Sequence, residues 1–111
     1  MTTTVPTAAD AQELYDFICQ RVDEEHAAAV ADETLQGEAQ LRFWRVSNSN
    51  KHGLAGTAES ISHHLAQGDA EAAERAWHLL TGAGEQWMDH PEYLPVWQNP
   101  TLASVRQALG R

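Results

Sequence analysis

Histidines and carboxylates are the side chains of this sequence that could do chemistry, and the chemistry they suggest is metal binding. Helical bundles build zinc and di-iron sites from such ligands, usually with two of them three or four residues apart on one helix face. Three pairs come closest to this spacing, namely Asp23 with His26, Glu59 with His63, and Glu74 with His78. Each pair supplies one histidine, so a metal site is the less favoured interpretation. Its candidate ligands are His64, His78, His90, Glu74 and Asp89.

Such a site would hold zinc or another divalent metal, and the domain could then be a metal-dependent hydrolase. The alternative is that the histidines are structural. His64 and His90 are close to expected chain reversals, where an imidazole can satisfy freed backbone groups, and His90 directly precedes Pro91. Cys19 falls inside a helical apolar pattern, and no serine has a recognisable base at a defined spacing. We therefore assign no catalytic residue and favour a non-enzymatic protein without a cofactor.

Large aromatic residues are the second candidate functional group. Residues 85–97, EQWMDHPEYLPVW, are too apolar to stay in water, so they pack either on the rest of the chain or on a partner. The candidate partner-binding residues are Trp44, Trp87, Tyr93 and Trp97. The two prolines favour the first alternative, in which His90, Tyr93 and Trp97 close over the first helix and a neighbouring hairpin.

The charge limits the classes of partner. The chain has 111 residues, with 7 Lys and Arg against 16 Asp and Glu, and a formal net charge of -9. This surplus repels phosphate backbones, so we expect no direct binding of nucleic acid. It is compatible with a basic protein partner, a homodimer, a bound cation, or mimicry of nucleic acid as an inhibitor. The local cluster of Arg42, Arg45 and Lys51 could contact an anionic partner or form the solvent face of a strand.

No run of apolar residues is long enough to cross a membrane, and the N-terminus has no basic or apolar character of a secretory signal. With a single cysteine, the chain suits a reducing compartment. We therefore expect a cytoplasmic protein that does not interact with membranes.

The elements that must position these residues follow from periodicity and capping. Thr7 and Asp10 have the spacing of a capping box, and Leu14, Phe17 and Ile18 begin an apolar stripe on one helix face. Leu41–Val46 alternates like a strand and is followed by SNSNKHG, a turn composition. We predict a single domain of mainly helical α+β class, with a flexible tail at 1–6, helices at 7–31, 57–67, 69–89 and 101–109, a short β-hairpin at 41–57, and a Pro-bounded aromatic segment at 90–100.

Three segments carry a family resemblance. Residues 13–25 read ELYDFICQRVDEE, residues 64–72 read HLAQGDAEA, and residues 89–97 read DHPEYLPVW. They resemble the patterns D-L-x-x-F-L-x-x-R, H-I-A-R-H-D-P-A-R and A-x-H-P-D-Y-x-x-x-W of a small domain-of-unknown-function family found in actinobacteria and their phages. The family has His where this chain has Gly68, so no paired-histidine role carries over. The resemblance implies a helical domain with a small strand element, and no activity.

Overall fold

The computed structural model describes residues 6–32 and 36–98, and they form an all-helical arrangement. Helix α1 spans Ala8–Ala31, α2 spans Glu38–Ala66 and α3 spans Ala70–Gly84. Two single 3₁₀ turns follow, at Glu85–Trp87 and Pro95–Trp97. α1 packs against α2, α2 packs against α3, and α3 closes back on α1. The described part of the chain contains no strand.

The capping box predicted at the start of α1 is formed. Thr7 Oγ1 accepts a hydrogen bond from the Asp10 N–H at 3.0 Å, and Asp10 Oδ2 accepts one from the Thr7 N–H at 2.9 Å. These bonds satisfy two backbone donors that a helix start would otherwise leave free. Leu14 and Ile18, on the apolar stripe, are buried in the centre of the core.

The β-hairpin predicted at 41–57 is wrong, because these residues lie inside α2. The alternation at Leu41–Val46 is only six residues long, and the turn-forming residues after it keep helical geometry. A helical stripe with spacings of three and four runs through the same region and includes polar positions. Its members are Phe43, Ser47, Lys51, Leu54, Ala58, Ile61 and Leu65. The fold class is therefore all-α rather than α+β.

The end of α2 and the start of α3 are fixed by hydrogen bonds across a short connection. The Gly68 N–H donates to the Leu65 carbonyl at 3.1 Å and the Asp69 N–H donates to the His64 carbonyl at 2.9 Å. This is the Schellman pattern, which requires the positive φ of 74° at Gly68. Asp69 Oδ1 then accepts from the Ala72 N–H at 3.1 Å and caps α3.

Thr57, predicted to begin a helix, instead lies within α2 and donates its hydroxyl to the Gly53 carbonyl at 3.1 Å. At the other end, α3 stops at Gly84, earlier than the predicted residue 89. A Cβ placed on Gly84 would lie 3.3 Å from Leu14 Cδ1, so glycine allows α3 to approach α1 closely here. The core between the helices is formed mainly by Ala11, Leu14, Phe17, Ile18, Val22, Ala58, Ile61, Ala76, Trp77, Leu80 and Trp97.

Some predictions concern other parts of the chain. The helix at 101–109 and residues 1–5 of the N-terminal tail lie outside the described residues, while Pro6 is buried. The assignment of a single domain stays a prediction. Within the described ranges, none of the helices combines the length and apolar character needed to cross a bilayer.

Candidate partner-binding groove

The segment after α3 folds back onto α1, where Phe17 is its main contact. The ring of Phe17 lies 5.5 Å from His90, 6.0 Å from Tyr93 and 4.9 Å from Trp97, measured between ring centroids. The first two contacts are edge-to-face, a favourable geometry for aromatic rings. Trp97 is only 4% exposed. The C-terminal aromatic residues thus contact the first helix, and no β-hairpin takes part.

Arg21, one turn after Phe17, holds the same segment through charge. It is 5% exposed, and its guanidinium lies 5.0 Å from the centre of the Phe17 ring. It forms ion pairs with Glu24 at 3.0 Å and with Glu92 at 3.3 Å. A buried cation is tolerated only when such partners replace its lost hydration. Arg21 therefore joins α1 to the segment that follows α3.

His90 has a structural role in this contact. Its Nδ1 accepts a hydrogen bond from the Glu92 N–H at 3.0 Å, and Arg21 Nη1 lies 3.2 Å from the same nitrogen. The Glu92 N–H requires a lone pair on Nδ1, and Arg21 Nη1 also contacts the other ring nitrogen, Nε2. The imidazole thereby orients Glu92, whose carboxylate also binds Arg21.

Beside these contacts lies an open groove of about 420 Å³. One wall is formed by four residues of α1 that succeed one another after three, one and three positions. The other wall comes from the segment after α3. The lining residues are Glu13, Asp16, Phe17, Gln20, Glu92, Leu94 and Trp97. The groove thus combines an apolar floor with a rim of carboxylates, and we call it the acidic groove.

The rim keeps most of its negative charge. Glu92 is neutralised by Arg21, whereas among the described residues Asp16 accepts a neutral hydrogen bond from Gln12 Nε2 at 2.9 Å and forms no ion pair. Glu13 forms no ion pair within the described ranges. On the floor, Leu94 is 41% exposed. The acidic groove therefore offers an accessible apolar surface next to two uncompensated carboxylates.

On the α2 side of α1, four polar side chains interact in two pairs. The pKa of Tyr15 is raised to about 12, first by a hydrogen bond with Cys19 and then by burial. A hydrogen bond to Asp23, 2.7 Å from Lys51 Nζ, raises the pKa of Lys51. Cys19 itself is half-buried, rather than fully buried as its apolar stripe suggested. The pair of Lys51 with Asp23 connects the middle of α1 to α2.

A second exposed apolar surface lies where α1 leads into α2. Val30 is 55% exposed, and Leu41 and Trp44 are 46% exposed each. All three line one depression of about 260 Å³, together with His26, Gly37 and Gln40. We call Val30, Leu41 and Trp44 the tip patch.

The structure does not bring the four predicted partner-binding residues onto one surface. Trp44 is on α2 in the tip patch, far along the chain from the other three. Trp87 and Tyr93 are half-buried and pack against the core, and Trp97 is a buried core residue. Of the four, Trp44 presents the most accessible ring, while Trp97 reaches the acidic groove.

The predicted metal ligands are likewise distributed over separate elements. His64 lies in the last turn of α2 beside His63, with ring centroids 5.5 Å apart. On α3, His78 Nε2 is 3.9 Å from a carboxylate oxygen of Glu74. His90 binds Arg21, and Asp89 is exposed. Within residues 6–32 and 36–98, no three His, Cys, Asp or Glu side chains are grouped so that they could hold a metal ion.

Sequence reasoning missed the residues of α1 that form the acidic groove. Glu13 and Asp16 were part of a general acidic surplus, and Phe17 was simply a member of the apolar stripe. One signal was present: Arg21 lies on that stripe, and a cation on a core-facing position indicates a buried ion pair. Its partner Glu92, however, is 71 residues away in the sequence.

Residues from two of the segments on which the family resemblance was expected meet at this place. Phe17 and Arg21 belong to the first similar segment, and His90, Tyr93 and Trp97 belong to the last. Comparison with protein-family models, with curated proteins and with solved structures gave no match to this chain.

Proposed function

We propose that this chain is a small acidic, non-enzymatic protein-interaction domain that binds a basic amphipathic segment of another protein in the acidic groove. The observation that carries the proposal is the composition of the groove, where Glu13 and Asp16 border an apolar floor that includes Leu94. Membership of the actinobacterial and phage family, and a cytoplasmic location, are parts of the same proposal. The three similar segments support the first, and the single cysteine supports the second.

The shape of the groove favours a peptide over a small molecule. Sites for small ligands are concave and enclose most of the ligand surface. The acidic groove is instead open along α1, and its lining on that helix extends over two turns. A helix that lays its apolar face into a groove uses anchors with this kind of spacing. Leu94 would be the main contact of such anchors, beside the largely buried rings of Phe17 and Trp97.

The charge of the groove favours a basic partner. Glu13 and Asp16 would face lysines or arginines at the edge of the bound segment. The net charge of -9 adds a long-range attraction that speeds the approach of a basic protein. Because Arg21 is paired with Glu24 and Glu92, it does not oppose that attraction. Local and global charge therefore support the same class of partner.

The test uses a synthetic helical peptide with leucines on one face and lysines on the other, measured by fluorescence anisotropy against the full chain. We expect binding that weakens as salt is added. The double variant Glu13→Gln with Asp16→Asn should weaken it about fivefold, since each exposed ion pair contributes roughly 0.5 kcal/mol. A peptide with glutamates in place of the lysines should not bind.

A matched control separates the groove from the overall charge. The double variant Glu59→Gln with Glu71→Gln changes the net charge by the same amount, and both residues are exposed outside the groove. It should bind the lysine peptide almost like the parent. Equal weakening by the two double variants, or no binding by the parent at low salt, would contradict the proposal. Circular dichroism would check that all chains remain helical.

A further inference from the structure

Residues 99–111, NPTLASVRQALGR, directly follow the described part of the chain and have the chemistry proposed for the partner of the acidic groove. The apolar residues of the helix predicted at 101–109 recur at spacings of four and three and are Leu102, Val105 and Leu109. Arg106 follows Leu102 by four positions and precedes Leu109 by three, so it borders that apolar stripe. Residues 99–111 contain two arginines and no Asp or Glu. We call them the basic segment.

The basic segment begins beside the acidic groove. The structure describes the chain as far as Gln98, and Trp97, the residue before it, lines the groove. Leu102 follows Trp97 by five residues, which span up to about 17 Å when extended. The α1 wall runs from Glu13 to Gln20 and is about 10 Å long, because a helix rises about 1.5 Å per residue. The basic segment can therefore reach the groove without any change in the described residues.

Charge favours the acidic groove over the other exposed apolar surface. Glu13 and Asp16 are exposed at the groove and form no ion pair among the described residues. The tip patch is bordered instead by positive charge, since Arg45 follows Leu41 by four positions on α2. Arg106 would face carboxylates at the groove and a like charge at the tip patch, and like charges across an interface oppose binding. The basic segment is therefore complementary to the acidic groove.

We propose that residues 99–111 bind in the acidic groove of their own chain and compete there with the basic partner. The inference rests on the partner chemistry proposed above for this groove, and it adds a regulation of the same site. In this arrangement the apolar stripe of the basic segment covers Leu94, which is 41% exposed. Arg106 approaches Glu13 or Asp16 at the rim. A partner binds only when the basic segment has left the groove.

A tethered segment competes as if it were present at high concentration. A short flexible linker gives an effective concentration on the order of 1 mM. A basic segment that binds as a free peptide with a dissociation constant of about 0.1 mM would then fill the groove about ten times as often as it leaves it empty. The apparent affinity of a partner is reduced by the fraction of empty groove, here about tenfold. Even a weak contact within the chain therefore controls access to the site.

Binding of the lysine peptide to the full chain tests the competition. The double variant Leu102→Ser with Leu109→Ser removes two apolar anchors of the basic segment and leaves every charge in place. It should bind the peptide about tenfold more tightly than the parent, because its groove is empty. The control is Ala103→Ser with Gln107→Ser, which changes the same segment outside its apolar stripe. This control should bind the peptide like the parent.

A spin label locates the basic segment without any peptide. A nitroxide is attached to Gln107→Cys in the Cys19→Ala background, and the amide signals of residues 13–20 are recorded by nuclear magnetic resonance. We expect strong broadening of these signals, which should decrease when Leu102→Ser and Leu109→Ser are added. Equal broadening with and without the two serine substitutions would overturn the proposal. So would broadening that a spin-labelled chain causes in a second, unlabelled chain, because the contact would then be between copies.

The outcomes distinguish this inference from the function proposed above. Equal affinity of the parent and the double serine variant for the lysine peptide would overturn the competition and leave the proposed function intact. Failure of the double serine variant to bind the peptide would contradict the proposed function. In that case the spin-label result still decides whether the basic segment lies in the acidic groove.

Discussion

Phe17 and Arg21 attach residues 90–97 to α1. Phe17 gives them an apolar surface, and Arg21 supplies a cation that binds Glu92 and contacts His90. The side chains of Glu24 and Glu92, which pair with Arg21, are more than 60% exposed. Water therefore competes with both ion pairs, and each contributes less to stability than a buried pair would. Arg21 thus mainly positions Glu92 at the edge of the acidic groove.

The hydrogen bond of Tyr15 with Cys19 leads to a prediction about the pKa of Tyr15. The phenol of Tyr15 should titrate near pH 12, because its hydrogen bond with Cys19 favours the protonated form. Replacing Cys19 with Ala should lower the pKa of Tyr15. Nuclear magnetic resonance of ¹³C-labelled tyrosine in a Tyr93→Phe background would measure it. An unchanged pKa in Cys19→Ala would show that the hydrogen bond is not the cause.

The raised pKa values of Tyr15 and Lys51 determine how the stability of the fold changes with pH. Tyr15 has its pKa raised from 10.0 to about 12, and the pKa of Lys51 is raised from 10.5. A group with a raised pKa in the folded state stabilises the fold fully below its unfolded pKa, and this contribution is lost as pH rises through the folded value. The contribution of Tyr15 is thus present below pH 10 and lost through about pH 12. Near neutral pH both contributions stay constant.

Among the elements, α2 is long and contains two internal glycines. Gly53 and Gly56 have no neighbouring atom within 4 Å of a Cβ placed on them, and both have ordinary helical geometry. Gly53→Ala and Gly56→Ala should therefore each stabilise the chain by about 0.5 to 1 kcal/mol. Urea denaturation followed by circular dichroism would measure this gain.

Substitution of Gly68 by alanine should have the opposite effect on stability. A Cβ there also meets no atom within 4 Å, but its φ of 74° is unfavourable for alanine. Gly68→Ala should destabilise the chain by about 1 kcal/mol. If the substitutions in α2 lowered stability like this one, α2 would not be a continuous helix through 53–56.

How much of the fold is visible in the sequence differs between helices. α1 could be predicted because its cap and its apolar stripe agree. α2 could not, since Ser47 and Lys51 occupy inner positions of its stripe and Ser47–Gly53 has the composition of a turn. Local preference favours a turn there, and it is outweighed by contacts with α1, such as the ion pair of Lys51 with Asp23 at 2.7 Å. The length of α2 is thus decided by tertiary contacts.

The acidic groove could be predicted from the sequence only in part, because it too depends on tertiary contacts. The sequence of 85–97 indicates that its rings must be covered, and the structure covers Trp97. Which surface covers them depends on contacts between residues about 70 to 80 positions apart, such as Arg21 with Glu92. No local pattern encodes such a pairing. The acidic groove arises from that pairing, so Glu13 and Asp16 could not be singled out beforehand.

At the scale of the whole described structure, residues 85–97 pack back onto α1. Trp97 is 4% exposed and packs on Phe17. Trp97→Ala should lower the free energy of unfolding by about 3 to 5 kcal/mol, as for other large aromatic residues removed from a core. Thermal unfolding monitored at the helical circular dichroism band would give the change.

The neighbouring Val96 provides the control, because it is 47% exposed. Val96→Ala should alter stability by no more than about 0.5 kcal/mol, as for other surface substitutions. A Trp97→Ala chain that unfolds together with the parent would show that the segment does not contribute to the core.

The contact between Phe17 and Trp97 also determines when the segment can attach. In an unfolded chain, the contact of Phe17 with Trp97 would close a loop of about 80 residues. Once α3 is packed on α1, the loop to be closed runs only from Gly84 to Trp97, about 13 residues. The entropy lost on closing a loop grows with the logarithm of its length, and the shorter loop lowers this loss by roughly 1.6 kcal/mol. Attachment of the aromatic segment is therefore favoured after the three helices have assembled, as a late step of folding.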